Sequence, residues 1–109
     1  MSTLASKKCK PCEGGVAPYT EAQARDLLKQ LKGWILEGGR LVKVYPFTNY
    51  CQTMAFVNAL AWISHREDHH PDLLVGYNMC RGEYWTHAID GLSENDFICA
   101  AKADALFDL

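Results

Sequence analysis

Residues 33–47 read GWILEGGRLVKVYPF, two β-prone apolar runs on either side of Glu37-Gly38-Gly39-Arg40. Adjacent glycines accept the positive φ that a tight hairpin turn demands, so the stretch predicts two antiparallel strands. Pro46 has no N–H to give to a ladder, which puts the end of the second strand, or a sheet edge, at that residue. Such a hairpin needs cover, and helical patterns flank it. Upstream, Thr20 followed by Gln23 reads as a capping box, and Ala24, Leu27, Leu28, Leu31 and Trp34 recur at helical spacing, with Gly33 offering a stop. Downstream, from Asn49 to about Arg66, the apolar residues Tyr50, Met54, Ala55, Phe56, Val57, Ala59, Leu60, Trp62 and Ile63 cover most of a helix surface. A helix apolar nearly all round needs cover on two sides. The chain's own sheet serves for one, and a second subunit is expected on the other.

After Pro71 a short apolar run, Leu73 to Gly76, leads through Tyr77-Asn78 into a segment ending YWTHAI. Periodicity alone makes Arg81-Gly82-Glu83 a turn, since glycine weakens a strand interior. Ser93-Glu94-Asn95-Asp96 is a second capping box, opening a last helix through Ile98, Ala101 and Ala105. The predicted order is α-β-β-α-β-β-α, an α+β two-layer domain in which helices pack on an antiparallel sheet.

At 109 residues the chain suits one domain with one core. Residues 1–18, rich in lysine, glycine and proline and without apolar periodicity, are expected to be a flexible N-terminal tail, with the domain over 19–109. A net charge of -2 offers no general attraction for nucleic acid or anionic membranes. No apolar run approaches the roughly 20 residues that span a bilayer, and no apolar region follows the basic start. The expectation is a soluble, cytoplasmic protein. Its five cysteines, an odd number, suit reduced thiols in such a compartment. Cys9 and Cys12 form a CxxC, but no second CxxC completes a zinc site and no strand precedes it, so both are read as incidental.

Residues 65–78, HREDHHPDLLVGYN, hold three of the four histidines. His65 and His69 have the spacing of two zinc ligands on a helix, but Arg66 stands where a general-base glutamate would be and Pro71 takes His70 out of helical geometry. A second reading is a solvated helix end where imidazolium complements the dipole. A third is a shared cleft, because His87 arrives near the end of the last strand, where helix ends and strand ends meet.

Gly33-Trp34, Pro46-Phe47, Ala55-Phe56-Val57, His69-His70-Pro71, Tyr77-Asn78, Thr86-His87 and GLSENDF over 91–97, in this order and spacing, resemble the pterin-4a-carbinolamine dehydratase family from about Tyr19 to Ala105. The resemblance implies dehydration of 4a-hydroxytetrahydropterin to quinonoid dihydropterin, the step that recycles the pterin after aromatic amino acid hydroxylation. It implies a four-stranded antiparallel sheet covered on one face by three helices, assembled as a homodimer or homotetramer, and it makes Arg81-Gly82-Glu83 strand. Catalysis is carried to His69, His70 and His87, with His69 and His87 transferring protons and His70 mainly holding the pterin. Asp96 would orient or charge an imidazole, compatibly with capping its helix. Asp68, Pro71, Trp85, Thr86 and, as an aromatic at the pocket edge, Trp34 complete the implied substrate site. No metal or cofactor is implied, the pterin being substrate. The rival expectation is a non-catalytic dimerisation or coactivator module that binds a transcription factor or a hydroxylase through the apolar helix, at residues such as Phe56 and Leu60. His65, where many relatives carry an acid, and Cys80, Gly82 and Tyr84, where they carry Val, Ile and Leu, depart from the pattern.

Overall fold

A computed structural model describes residues 4–11 and 16–108. Three α-helices, α1 (Glu21–Leu28), α2 (Tyr50–Glu67) and α3 (Glu94–Ala105), accompany strands β1 (Ile35–Glu37), β2 (Arg40–Pro46), β3 (Asp72–Val75) and β4 (Met79–Tyr84). All pairings are antiparallel, in the order β1-β2-β4-β3. Glu37 pairs with Arg40 across the predicted turn, with Gly38 at φ 59° and Gly39 at φ 76°, the positive values that only glycine adopts without strain. The strand β2 stops at Pro46, at the centre of the sheet rather than an edge. Arg81-Gly82-Glu83 is strand, paired on both sides, so the cross-strand ladder overrides glycine's local preference.

Alternation sorts each strand between two faces. Leu41 and Tyr45 on β2 and Cys80 and Tyr84 on β4 are buried beneath the helices, packed with Phe56 and Leu60 of α2 and with Phe97, Ile98 and Ala101 of α3. The opposite face carries exposed Ile35, Val44 and Leu74, along with the ion pairs of Arg81 with Glu37 and Glu83. Both capping boxes form: Thr20 and Gln23 bond reciprocally at α1, and the Asp96 carboxylate accepts the Ser93 N–H at α3. The first helix is shorter than its periodicity suggests, ending at Leu28, well before Leu31 and Trp34. Trp34 instead belongs to the sheet layer. Its indole donates to Asp104 at 3.0 Å, and the same carboxylate accepts from Lys43 and Tyr45 on β2, which ties the end of α3 to the central strand. On α2, Phe56 and Leu60 face the core, and the exposed large apolar residues are Tyr50 and Trp62. Among the described residues no helix is long and apolar enough to cross a membrane.

The expected flexible tail is corrected for residues 4–11. A 3-10 turn, Leu4–Ser6, packs on α3, and Leu4 is only 1% exposed within the main core cluster. Its apolar side chain has no periodic partners in sequence; it is placed by a groove that exists only once α3 has folded. Cys9 is likewise docked, its Sγ 3.5 Å from that of Cys99, whereas Cys12 lies outside the described residues. A docked Leu4 has an energetic signature: Leu4→Ala should cost about 2–4 kcal/mol in urea unfolding, as for other buried leucines, whereas a tether residue would stay within about 0.5 kcal/mol.

Candidate active site

The helix α2 ends at Glu67, and Asp68 then adopts the left-handed conformation, φ 51° and ψ 43°, which aspartate tolerates better than most residues. The N–H groups of Asp68 and His69 close back on the last turn through the carbonyls of His65 and Ser64. This reversal separates the two adjacent imidazoles. His69 turns inward, its side chain 11% exposed, while His70 stays exposed. His65, one turn earlier, remains outside against the Trp62 ring, so it shares no ligand face with His69.

Inside, His69 Nε2 lies 2.6 Å from Asp96 Oδ1. The Asp96 carboxylate is 0% exposed, a burial that would be very costly for a lone charge. Its other oxygen accepts from the Thr86 hydroxyl at 2.8 Å and from the Ser93 N–H at 3.0 Å, and the α3 N-terminus adds a favourable dipole. An ionised carboxylate can only accept, so His69 Nε2 is assigned as the donor and Nδ1 is the ring nitrogen that Asp96 leaves free. Behind this pair, the Tyr84 ring is nearly parallel to the imidazole at 6.0 Å.

His87 is reached by a different route. It opens the 3-10 turn His87–Ile89, three residues past the end of β4, and a bridge between Thr86 and Gly91 closes the loop. Its ring lies 3.9 Å from that of Trp85 and 5.8 Å from that of His70, crossing the latter at 75°. Trp85 is itself fixed, by an Nε1–H bond to Asp72 at 3.1 Å and by the Arg40 guanidinium 4.4 Å over its face.

These side chains border a cleft of about 500 Å³. Of the residues anticipated for the site, Asp68, His69, His70, Trp85, Thr86 and His87 line it. Asp96 stands directly behind His69. Pro71 and Trp34 do not line the cleft; Trp34, 5% exposed, is held in the core by Asp104 and by the Tyr45 and Tyr84 rings, so its expected place at the pocket edge is corrected. Sequence reasoning missed Cys9, Lys10, Pro11, Arg66, Glu67, Ala88 and Asn95, which also line the cleft. Asn95 sits inside a recognisable capping box, but no sequence signal marks the N-terminal residues as part of a site. Among the described residues no group of three His, Cys, Asp or Glu side chains converges as a metal-binding set.

Burial pushes the Tyr84 hydroxyl well above its ordinary pKa, and a hydrogen bond with Cys9, followed by burial, does the same for the Cys99 thiol. Both groups stay neutral when folded but ionise in the unfolded chain. Their contribution to stability is complete below the ordinary values of 10.0 and 9.0 and drains away as pH climbs from there towards the folded values. The Tyr84 hydroxyl is also the buried side-chain polar atom without a hydrogen-bond partner among the described residues. Tyr84→Phe should therefore leave neutral-pH stability unchanged or raise it by up to about 1 kcal/mol, and should soften the alkaline loss. Urea midpoints measured from pH 7 to 11 check both.

Over residues 17–106 the chain matches the family profile described as pterin 4 alpha carbinolamine dehydratase. It is 66% identical over 104 residues to a protein of Nitrosomonas eutropha, covering 94% of this chain and 92% of that one. It is 62% identical over 109 residues to one of Nitrosospira multiformis, covering 100% and 96%. Both relatives are provisionally named pterin-4-alpha-carbinolamine dehydratase. Among solved structures, the fold is similar to a transcriptional coactivator/pterin dehydratase from Brucella melitensis, with TM-score 0.78, 25% identity, and coverage of 82% of this chain and 97% of that one. It is also similar to a pterin dehydratase-like RuBisCO assembly factor of the alpha-carboxysome, with TM-score 0.60, 30% identity, and coverage of 68% and 88%.

Proposed function

This chain belongs to the pterin-4a-carbinolamine dehydratase family, and on that premise we propose that it dehydrates a 4a-hydroxytetrahydropterin to the quinonoid dihydropterin, in the cytoplasm, recycling the pterin after aromatic amino acid hydroxylation. The observation that carries the reading is three imidazoles on one cleft in two different settings. His69 is anchored to a buried carboxylate, whereas His70 and His87 face each other with solvent access. The reaction needs one group to take the N5 proton and another to protonate the departing 4a-hydroxyl. The C4a–N5 double bond forms as the C4a–O bond breaks, and water leaves. Imidazoles suit both transfers near neutrality. His69 and His87 are assigned as the exchanging pair and His70 as a pterin contact, with Asp96 as the positioning residue that fixes the orientation and tautomer of His69. The chemistry requires proton transfer alone, so turnover should survive chelation.

Stopped-flow absorbance of freshly generated 4a-hydroxytetrahydropterin is the direct test. Decay no faster than in buffer would refute the enzyme. His87→Gln keeps a hydrogen bond but not titration, so the rate should fall about 10²-fold and one limb of a bell-shaped pH profile should flatten. An intact bell in that variant would mean that another histidine takes the role.

A binding role has one specific observation in its favour, the exposed Trp62 and Tyr50 on α2, at 63% and 51%. We take this face as the surface where a second copy of the chain, or a protein partner, would sit. Phe56 and Leu60 are part of the core, so a probe of that surface is Trp62→Asp. It should weaken self-association in analytical ultracentrifugation while leaving the cleft intact.

A further inference from the structure

The family match begins at residue 17, yet part of the cleft wall comes from residues before it. Cys9, Lys10 and Pro11 line the same cleft as His69, His70 and His87. We propose that Cys9, Lys10 and Pro11 form a substrate-contacting wall of this cleft and that Asn95 is the positioning residue that holds the wall in place. The inference rests on the cleft being the pterin site.

The segment is fastened along its length. Leu4 is buried in the core, Lys102 Nζ donates to the Ala5 carbonyl at 2.9 Å, and Lys7 pairs with Glu94 at 2.8 Å. Nearer the cleft, the Cys9 N–H donates to Glu67 Oε1 at 2.9 Å, and its sulfur lies against Cys99 on α3. The last anchor differs from the others because it grips backbone from both sides. Asn95 Oδ1 accepts the Lys10 N–H at 3.0 Å, and Asn95 Nδ2 donates to the Lys10 carbonyl at 2.6 Å. One side-chain amide thus satisfies both main-chain groups of Lys10, as a neighbouring strand would, and Asn95 is itself buried and borders the cleft.

Asn95 immediately precedes Asp96. The same first turn of α3 therefore carries the carboxylate that orients His69 and the amide that fixes the wall, so the distance between imidazole and wall is set by one rigid helical turn. Glu67 does the same from the other side, at the end of the helix from which Asp68 and His69 emerge. A wall of this kind carries none of the reacting protons. It contacts substrate and transition state alike, so its loss raises KM and leaves kcat in place.

Two variants approach the contact from opposite partners. Asn95→Ala removes the amide, and Lys10→Pro removes the N–H that the amide receives without altering α3. In the full chain each should raise KM about tenfold, the scale of one or two lost hydrogen bonds, with kcat held within about twofold. Each should also weaken binding of a fully oxidised pterin, which cannot be dehydrated, as measured by quenching of tryptophan fluorescence. Unchanged KM and pterin affinity in both variants would overturn the wall, as would a fall in kcat at constant KM, which would mean that only the Asp96–His69 turn had been disturbed. A wild-type chain that binds the oxidised pterin but turns over no substrate would refute the dehydratase reading alone, provided that the variants still bind more weakly.

Discussion

The Asp96 carboxylate is the contact on which the rest of the site depends. A charge with no solvent exposure must be satisfied from within, and here each partner comes from a different part of the chain. The Ser93 N–H belongs to the start of α3, the Thr86 hydroxyl to the loop after β4, and the His69 ring to the chain leaving α2. One side chain thus joins three connections that would otherwise be free to shift against each other. It does so at the rim of the two layers, where backbone ladders have ended and side chains must take over the positioning. Capping a helix and orienting an imidazole fall to one side chain here, because one oxygen of the carboxylate holds the imidazole while the other takes the Ser93 N–H and the Thr86 hydroxyl.

A second carboxylate, Asp104, plays the corresponding part at the other end of α3. It gathers donors from Trp34, Lys43 and Tyr45 and so fixes the helix on the central strand. With the end of α3 fixed on the sheet through Asp104, its start joined to the neighbouring loops through Asp96, and its middle residues Phe97 to Ala101 buried, the helix acts as a rigid bar under the cleft. The features that need precise placement, His69 through Asp96 and the N-terminal segment through Asn95, are attached to its first turn. The imidazoles that need access to water and substrate, His70 and His87, stay exposed, each one residue beyond a group that Asp96 holds, His69 and Thr86.

The departures from the family pattern fit the same packing. Cys80, Gly82 and Tyr84 occupy the helix-facing side of β4, opposite Tyr45, Lys43 and Leu41. Gly82 faces the Leu73 side chain of β3, and Tyr84 supplies bulk between Trp34 and His69.

Local sequence determined a good deal of this protein. The Gly38-Gly39 turn, the two capping boxes and the stop at Pro46 are each set by residues a few positions apart, and each forms as read. The order of elements, the family and six of the thirteen cleft residues follow from those signals and from the HHP, TH and GLSENDF motifs. What the sequence left open was settled by contacts between distant residues. The length of α1 depends on where Trp34 finds Asp104, 70 residues away, so a helical period that runs on to Trp34 is cut short by packing. The strand character of Arg81-Gly82-Glu83, which the family resemblance implies, comes from partners on both sides, which glycine's local preference cannot reveal. The docking of residues 4–11 needs a groove on α3 that does not exist until the chain has folded, and an irregular segment carries no period to announce it. Periodicity reports a residue's relation to its own helix or strand; it cannot report a contact between Lys10 and Asn95, because only the folded chain brings the two together.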